Sequence, residues 1–189
     1  AGEYAPIFFK QAKYTLLDQN TFWLCEKPDS VGMVGWDAAL TRIATWVKLQ
    51  DKKTGQILMV VNTHFDHIGT EARRNSALLI IEKIKEIVGT SPAILTGDFN
   101  VSEDWDAYKT ITNNEFILKD AHKVAGKRTG VDFTYHNFGK IPAEKCEKID
   151  FIFVTPQIRV ISSYIPFSQL NDTLFLSDHN PEIVELEIK

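Results

Sequence analysis

Six polar residues stand where an apolar strand pattern stops or is interrupted. VVNTHFDH puts His64 after a long apolar run, and ILTGDFN sets Asp98 and Asn100 on either side of Phe99. KIDFIFV places Asp150 inside an otherwise apolar strand, and LSDHNPEIVELEI places Asp178 and His179 before the last one. Side chains alternate faces along an extended chain, so Asp98 and Asn100 share one small spot while Phe99 points into the protein. A lone histidine beside a strand is usually structural, and an aspartate in a turn is usually a turn former. Asp150 is different, because an ionised carboxylate between isoleucine and phenylalanine is costly to bury alone. It must face a cation or a donor, and histidine is the obvious candidate.

The elements that position these groups are mostly strands. Segments 4–10, 14–17, 21–25, 39–49, 56–64, 93–99, 148–154, 159–164 and 181–188 are rich in β-branched and aromatic residues, with turn formers between them. DKKTGQ, residues 51–56, reads as a hairpin turn in which Gly55 supplies the positive φ. From Thr70 to Val88 the residues Ala77, Ile80, Ile81, Ile84, Ile87 and Val88 recur at helical spacing, and Gly89 and Pro92 end the run. A shorter helix spans 103–112, with Ser102 as its N-cap. Trp46, Trp105 and Phe133 read as core and His122 as a surface residue.

At 189 residues and 44% hydrophobic, the chain is sized for one domain with a substantial core. Its longest apolar runs fall far short of the roughly 20 residues that cross a bilayer, so no membrane role is expected. A net charge of −4 without any basic run gives no general attraction to nucleic acid, so any phosphate chemistry must be local. Cys25 and Cys146 lack metal or redox spacing and read as ordinary residues, with a disulfide between them left open.

NTH, GDFN, KIDFIF and SDH, in this order and at these intervals, resemble the endonuclease/exonuclease/phosphatase superfamily, the DNase-like metal-dependent phosphoesterases. GEYAPIFFK, GWDAALTRIATWVKL and NTHFDHIGTEARRNSALLI extend the resemblance to the small bacterial members near the deadenylase and nocturnin branch, over essentially all of residues 1–189. It implies a mixed α/β fold, a four-layer αββα sandwich of two mostly antiparallel sheets with helices outside. It also implies hydrolysis of a phosphoester by in-line attack of water, assisted by Mg²⁺ with Mn²⁺ as the other candidate.

On the matching positions the resemblance makes His179 the base or phosphate-stabilising group and Asp150 the carboxylate that orients it. Asp98 would orient the nucleophile or protonate the leaving oxygen, while Asn100 and His64 would donate to the phosphate. Glu3 would pair with His64, and Asp178 would sit at the metal. Trp36 and Asp37 resemble a substrate-side element, and His136 is a candidate cleft residue. His67, Arg73 and Arg74 either reach a phosphate or are solvated charge at a helix start.

Family members begin with a strand bearing an asparagine and a second strand ending in Gln-Glu, whose glutamate is the main metal ligand. Neither motif occurs here. On this reading the chain is the C-terminal three-quarters of such an enzyme, lacking N-terminal strands, with roughly 70 to 90 residues preceding Ala1 in a complete member. The expected partners are the phosphoester substrate, either nucleic acid or a small phosphorylated molecule, and the missing segment or another chain completing the sandwich. Three functions follow: a metal-dependent phosphodiesterase or nuclease, or a fragment of one; a phosphomonoesterase on a small phosphorylated molecule; and a non-catalytic binding domain or inactive fragment.

Overall fold

A computed structural model describes residues 3–89, 91–113, 118–171 and 174–188. The strands are β1 (Tyr14–Trp23), β2 (Ile43–Asp51), β3 (Ile57–His64), β4 (Ala93–Asp98), β5 (Lys119–Asp120), β6 (Lys127–Gly130), β7 (Asp150–Val154), β8 (Ile158–Ile165), β9 (Gln169–Asn171), β10 (Leu174–Phe175) and β11 (Ile183–Ile188). The helices are α1 (Thr70–Val88), α2 (Asp106–Thr112) and α3 (Ala121–Val124). One sheet has six strands in the order β1-β2-β3-β4-β7-β5, a second has three in the order β11-β8-β6, and β9 and β10 form a small ribbon. The result is a mixed α/β architecture with two main sheets, as the sequence implies. Among the described residues no helix is long and apolar enough to cross a membrane.

Alternation along the central strands builds two cores, one on each face of the six-stranded sheet. Met59, Val61, Leu95, Phe151 and Phe153 pack on one face against Ala77, Ile80, Ile81, Ile84 and Val88 of α1. Val60, Ile94, Ile152 and Val154 pack with Ile158 and Val160 of β8 and with Val184 and Leu186 of β11. Each valine, leucine, isoleucine, methionine or phenylalanine among them contributes about 1.5–3 kcal/mol when fully buried. The hairpin at residues 51–56 is present, with Gly55 at φ 76° between antiparallel β2 and β3.

Several local expectations are revised. Residues 3–10 form no strand. Pro6 has no N–H for a ladder, and its carbonyl instead accepts from Asn62 Nδ2 at 3.0 Å. The two short strands expected over 14–17 and 21–25 are one strand, β1, with a bulge between Leu16 and Asp18. Helix α2 starts at Asp106, because the Ser102 hydroxyl bonds to Asp104 rather than capping a helix. Trp105 is 41% exposed, its ring occupied by the guanidinium of Arg73 at 4.9 Å rather than by the core. His122 is buried, its Nδ1 2.8 Å from Ser163 Oγ. Both cysteines are free.

The turn joining β3 to α1 is organised by Asp66, which is buried. Its Oδ1 accepts from the N–H groups of Ile68 at 2.9 Å and Gly69 at 2.8 Å, and its Oδ2 accepts from Leu40 at 3.1 Å. Arg42 Nε lies 3.6 Å from Oδ2. Burial pushes this carboxyl up, but the donors Gly69, Ile68, Ala39 and Leu40 outweigh it and hold it well below the usual carboxylate range. A carboxyl depressed in the fold stabilises above its unfolded value of about 4, and that contribution is lost as pH falls towards the folded value. Asp66→Asn turns an NH₂ towards these donors and leaves Arg42 short of a counter-charge, so we expect roughly 3 kcal/mol of destabilisation at pH 7. The difference from wild type should shrink below about pH 4 in urea titrations; an equal difference at both pH values would contradict this assignment.

Candidate active site

The strand registers bring three of the six polar residues into one row. His64 of β3 is the register partner of Asp98 in β4, and Asp98 is the register partner of Asp150 in β7. All three therefore project from the same face, at the strand ends beyond the apolar rows Val60, Ile94 and Val154. Gly97 permits the close approach of β3 and β4, since a Cβ there would meet Thr63 O at 2.2 Å. Beside the row lies an open groove of about 450 Å³, lined by Asn62, His64, Thr96, Asp98 and Asp150 among others.

His179 joins the row from the segment before β11. Its Nδ1 is 2.7 Å from Asp150 Oδ2, and its Nε2 is 3.9 Å from Asp98 Oδ2. The Ser177 hydroxyl accepts from its main-chain N–H, and its ring lies 5.0 Å from that of Tyr135. On the other flank His64 Nδ1 is 3.0 Å from Glu3 Oε2, and His64 Nε2 is 3.3 Å from Asp98 Oδ2. Two acid–histidine pairs thus face each other, with Asp98 between them.

Asn100 is not a simple continuation of β4. The strand ends at Asp98, and Asn100 turns back at φ 50°. Its N–H donates to Asp98 Oδ1 at 2.9 Å and its amide donates to Phe65 O at 3.0 Å. The turn orients Asp98 and leaves the second amide proton of Asn100 for another acceptor. Phe99 is fully buried against Phe65 and Phe153, as the alternation implies.

The two histidines are pushed in opposite directions. Burial, helped by the Arg42 charge, holds His64 below its ordinary value. Burial also opposes the charged form of His179, but the hydrogen-bonded Asp150, with Asp98 and Asp178, outweighs it and raises the ring. Asp98 is pushed up to about 6, by burial first and by the Asp150 carboxylate next. Two carboxylates held side by side in a partly buried row carry more negative charge than their neighbours balance, and a divalent cation relieves that imbalance. Asp98, Asp150 and His179 offer ligand atoms within 4.8 Å of one another, a donor set that fits such an ion. Asp178 stands outside this set, its side chain beside Ser177 Oγ and its carbonyl accepting from His136 and Asn137.

The remaining candidates are spread around the site. His67 Nδ1 lies 3.2 Å from Arg42 Nη2. Arg74 is exposed and shares a 260 Å³ cavity with Arg73 and Trp105. Trp36 and Cys25 line a separate cavity against α1, where Asp37 accepts from the N–H groups of Glu71 and Ala72. His136 is buried between Phe167 and Phe175 and does not open onto the groove. Sequence reasoning missed Arg42, whose buried guanidinium contacts Glu3 and His67 and lies beside Asp66.

Known proteins share this fold. The Endonuclease/Exonuclease/phosphatase family model matches residues 8–179. The crystal structure of the endonuclease/exonuclease/phosphatase from Bacteroides vulgatus is 63% identical with a TM-score of 0.92, covering 96% of this chain and 69% of its own. A mannosyl-6-phosphatase from Bacteroides thetaiotaomicron is 34% identical with a TM-score of 0.86, covering 95% of this chain and 69% of its own. An uncharacterized protein of Acanthamoeba polyphaga mimivirus is 30% identical over 175 residues, which are 87% of this chain and 63% of that protein. The chain thus spans less than two thirds of the length of that curated relative. With the match running from residue 8 through the SDH histidine, the chain belongs to the endonuclease/exonuclease/phosphatase family, whose members hydrolyse phosphoester bonds.

Proposed function

We propose that this chain carries the hydrolytic site of a divalent-metal-assisted phosphoesterase acting on a small phosphorylated molecule. The observation that carries the reading is the row His64, Asp98 and Asp150 closed by His179. In-line hydrolysis needs a positioned water, a proton acceptor for it and donors for the phosphoryl oxygens. The 3.9 Å between His179 Nε2 and Asp98 Oδ2 suits one bridging water. Asp150 holds the proton of His179 at Nδ1, which leaves Nε2 to take the proton of that water. The free amide proton of Asn100 donates to the phosphoryl group, and His64, held at Nδ1 by Glu3, donates from Nε2 in its charged form, which a bound phosphate dianion favours. Asp98 and Asp150 would hold the metal, which supplies Lewis-acid polarisation of the phosphate and a more acidic water.

Two observations support a small substrate. The chain is net −4 with no basic stripe, which gives no electrostatic footprint for a long nucleic acid. A relative 34% identical over 95% of the chain is a mannosyl-6-phosphatase. A phosphodiester substrate is the second reading, since the family also includes nucleases and deadenylases.

Hexose 6-phosphates, inositol phosphates, nucleotides and oligonucleotides, assayed with Mg²⁺ and with Mn²⁺, separate the two readings. The assay should use the 189-residue chain and the protein as its gene encodes it. Release of inorganic phosphate from a sugar phosphate is expected, with weak duplex binding of shallow salt dependence; oligonucleotide cleavage with nanomolar, steeply salt-dependent binding would overturn the substrate assignment. His179→Ala should lower the rate at least ~10²-fold, and an unchanged rate would remove His179 from the mechanism.

Protonation offers an independent check in metal-free protein. NMR titration of the ring protons should place His64 below, and His179 above, the ordinary histidine value of about 6.5. The charged His179 ring stabilises the fold below that value, and this contribution is lost as pH rises through its raised folded value. A reversed order of the two rings would contradict the charge arrangement described.

A further inference from the structure

A second polar chain, almost wholly buried, runs beside the catalytic row. Lys148 Nζ donates to the main-chain carbonyl of Asp150 at 2.8 Å and lies 2.9 Å from Glu182 Oε2. The two side chains are 7% and 3% exposed. The same ammonium sits 3.8 Å from the centre of the Phe151 ring. The other oxygen of Glu182 accepts from Ser163 Oγ of β8 at 3.4 Å, and Ser163 Oγ is 2.8 Å from His122 Nδ1.

The placement matters more than the pair itself. Lys148 is two residues before Asp150, and Glu182 is three residues after His179. The ion pair therefore ties together the two segments that supply the Asp150–His179 hydrogen bond, one leading into β7 and the other into β11. Stability alone is a poor reason to have it, because replacing a buried ion pair by apolar side chains of similar size is often neutral or stabilising. Position is a better reason, because displacing a catalytic group by about 1 Å can cost 10²-fold in rate.

We infer that Lys148 and Glu182 are positioning residues that set the distance and angle between Asp150 and His179, a role that rests on the hydrolase reading above. Lys148 fixes the main chain at Asp150, and Glu182 fixes Lys148 while anchoring the His179 segment to β8 through Ser163.

Truncating either residue alone leaves its buried charged partner with nothing in its place, neither charge nor hydrogen-bonding group, so the informative variant is Lys148→Met/Glu182→Leu. Long-range ¹⁵N–¹H spectra of the His179 ring, recorded without metal at a pH above the ring's raised value, where it is neutral, report which nitrogen carries the proton and need no turnover. In the wild type we expect that proton fixed on Nδ1, facing Asp150, and in the double variant exchange between both nitrogens. Thermal stability should stay within about 5 °C of wild type, and kcat should fall about tenfold or more with KM held within about threefold. Glu182→Gln keeps the shape and an acceptor for Lys148, so it should show the same changes at smaller size and serves if the double variant unfolds. An unaltered ring pattern and unaltered kcat in a folded variant would overturn the inference. If the protein as its gene encodes it turns over no phosphoester, yet shows the fixed proton and its loss in the variant, the hydrolase reading falls and the positioning role stands.

Discussion

Two carboxylates paired directly across neighbouring strands are the constraint on which the site depends. Asp98 and Asp150 are register partners in β4 and β7, so their side chains stand together on one face. Like charges directly opposite one another destabilise a sheet, and burial raises the cost. The surroundings supply what the pair needs: His179 at 2.7 Å from Asp150, His64 at 3.3 Å from Asp98, and the Asn100 N–H on the second oxygen of Asp98. Even so, Asp98 is pushed up to about 6. A cluster held together in this way has an affinity for cations and for proton exchange built into it.

The fold places this cluster by the same alternation that fills its cores. Moving along β3, β4 and β7 on one face, the apolar row Val60, Ile94 and Val154 gives way to Asn62, Thr96 and Ile152, and then to His64, Asp98 and Asp150. Because the side-chain period is two, a one-residue slip in any of these strands would send its polar residue into the helix-facing core. Gly97 lets β3 and β4 approach closely at the level of the row, and Phe99, Phe151 and Phe153 lock the opposite face. Packing and chemistry are thus specified by alternate residues of the same short segments.

Much of this was legible in the sequence. The apolar runs marked the central strands, helical spacing marked α1 over its whole length, and polar residues at strand ends marked His64, Asp98, Asp150 and His179. What the sequence does not carry is register, so the row itself could not be read. Alternation also misled at Asn100, where a left-handed backbone turns the amide back towards Phe65. Arg42, Lys148 and Glu182 escaped because their ionic partners come from distant segments, and a charged residue next to a strand looks solvated until the fold buries it. The same reason explains His122, and its converse explains Trp105, an aromatic whose ring meets a guanidinium instead of a core.

A crystal structure of the protein grown with inorganic phosphate and Mn²⁺ would show whether the row His64, Asp98, Asp150 and His179 is a phosphoryl site. Anomalous Mn²⁺ density is expected against Asp98 and Asp150, with the phosphate between His64 and His179. Phosphate and metal bound elsewhere, for example in the Arg73–Trp105 cavity with the row free of both, would contradict this assignment.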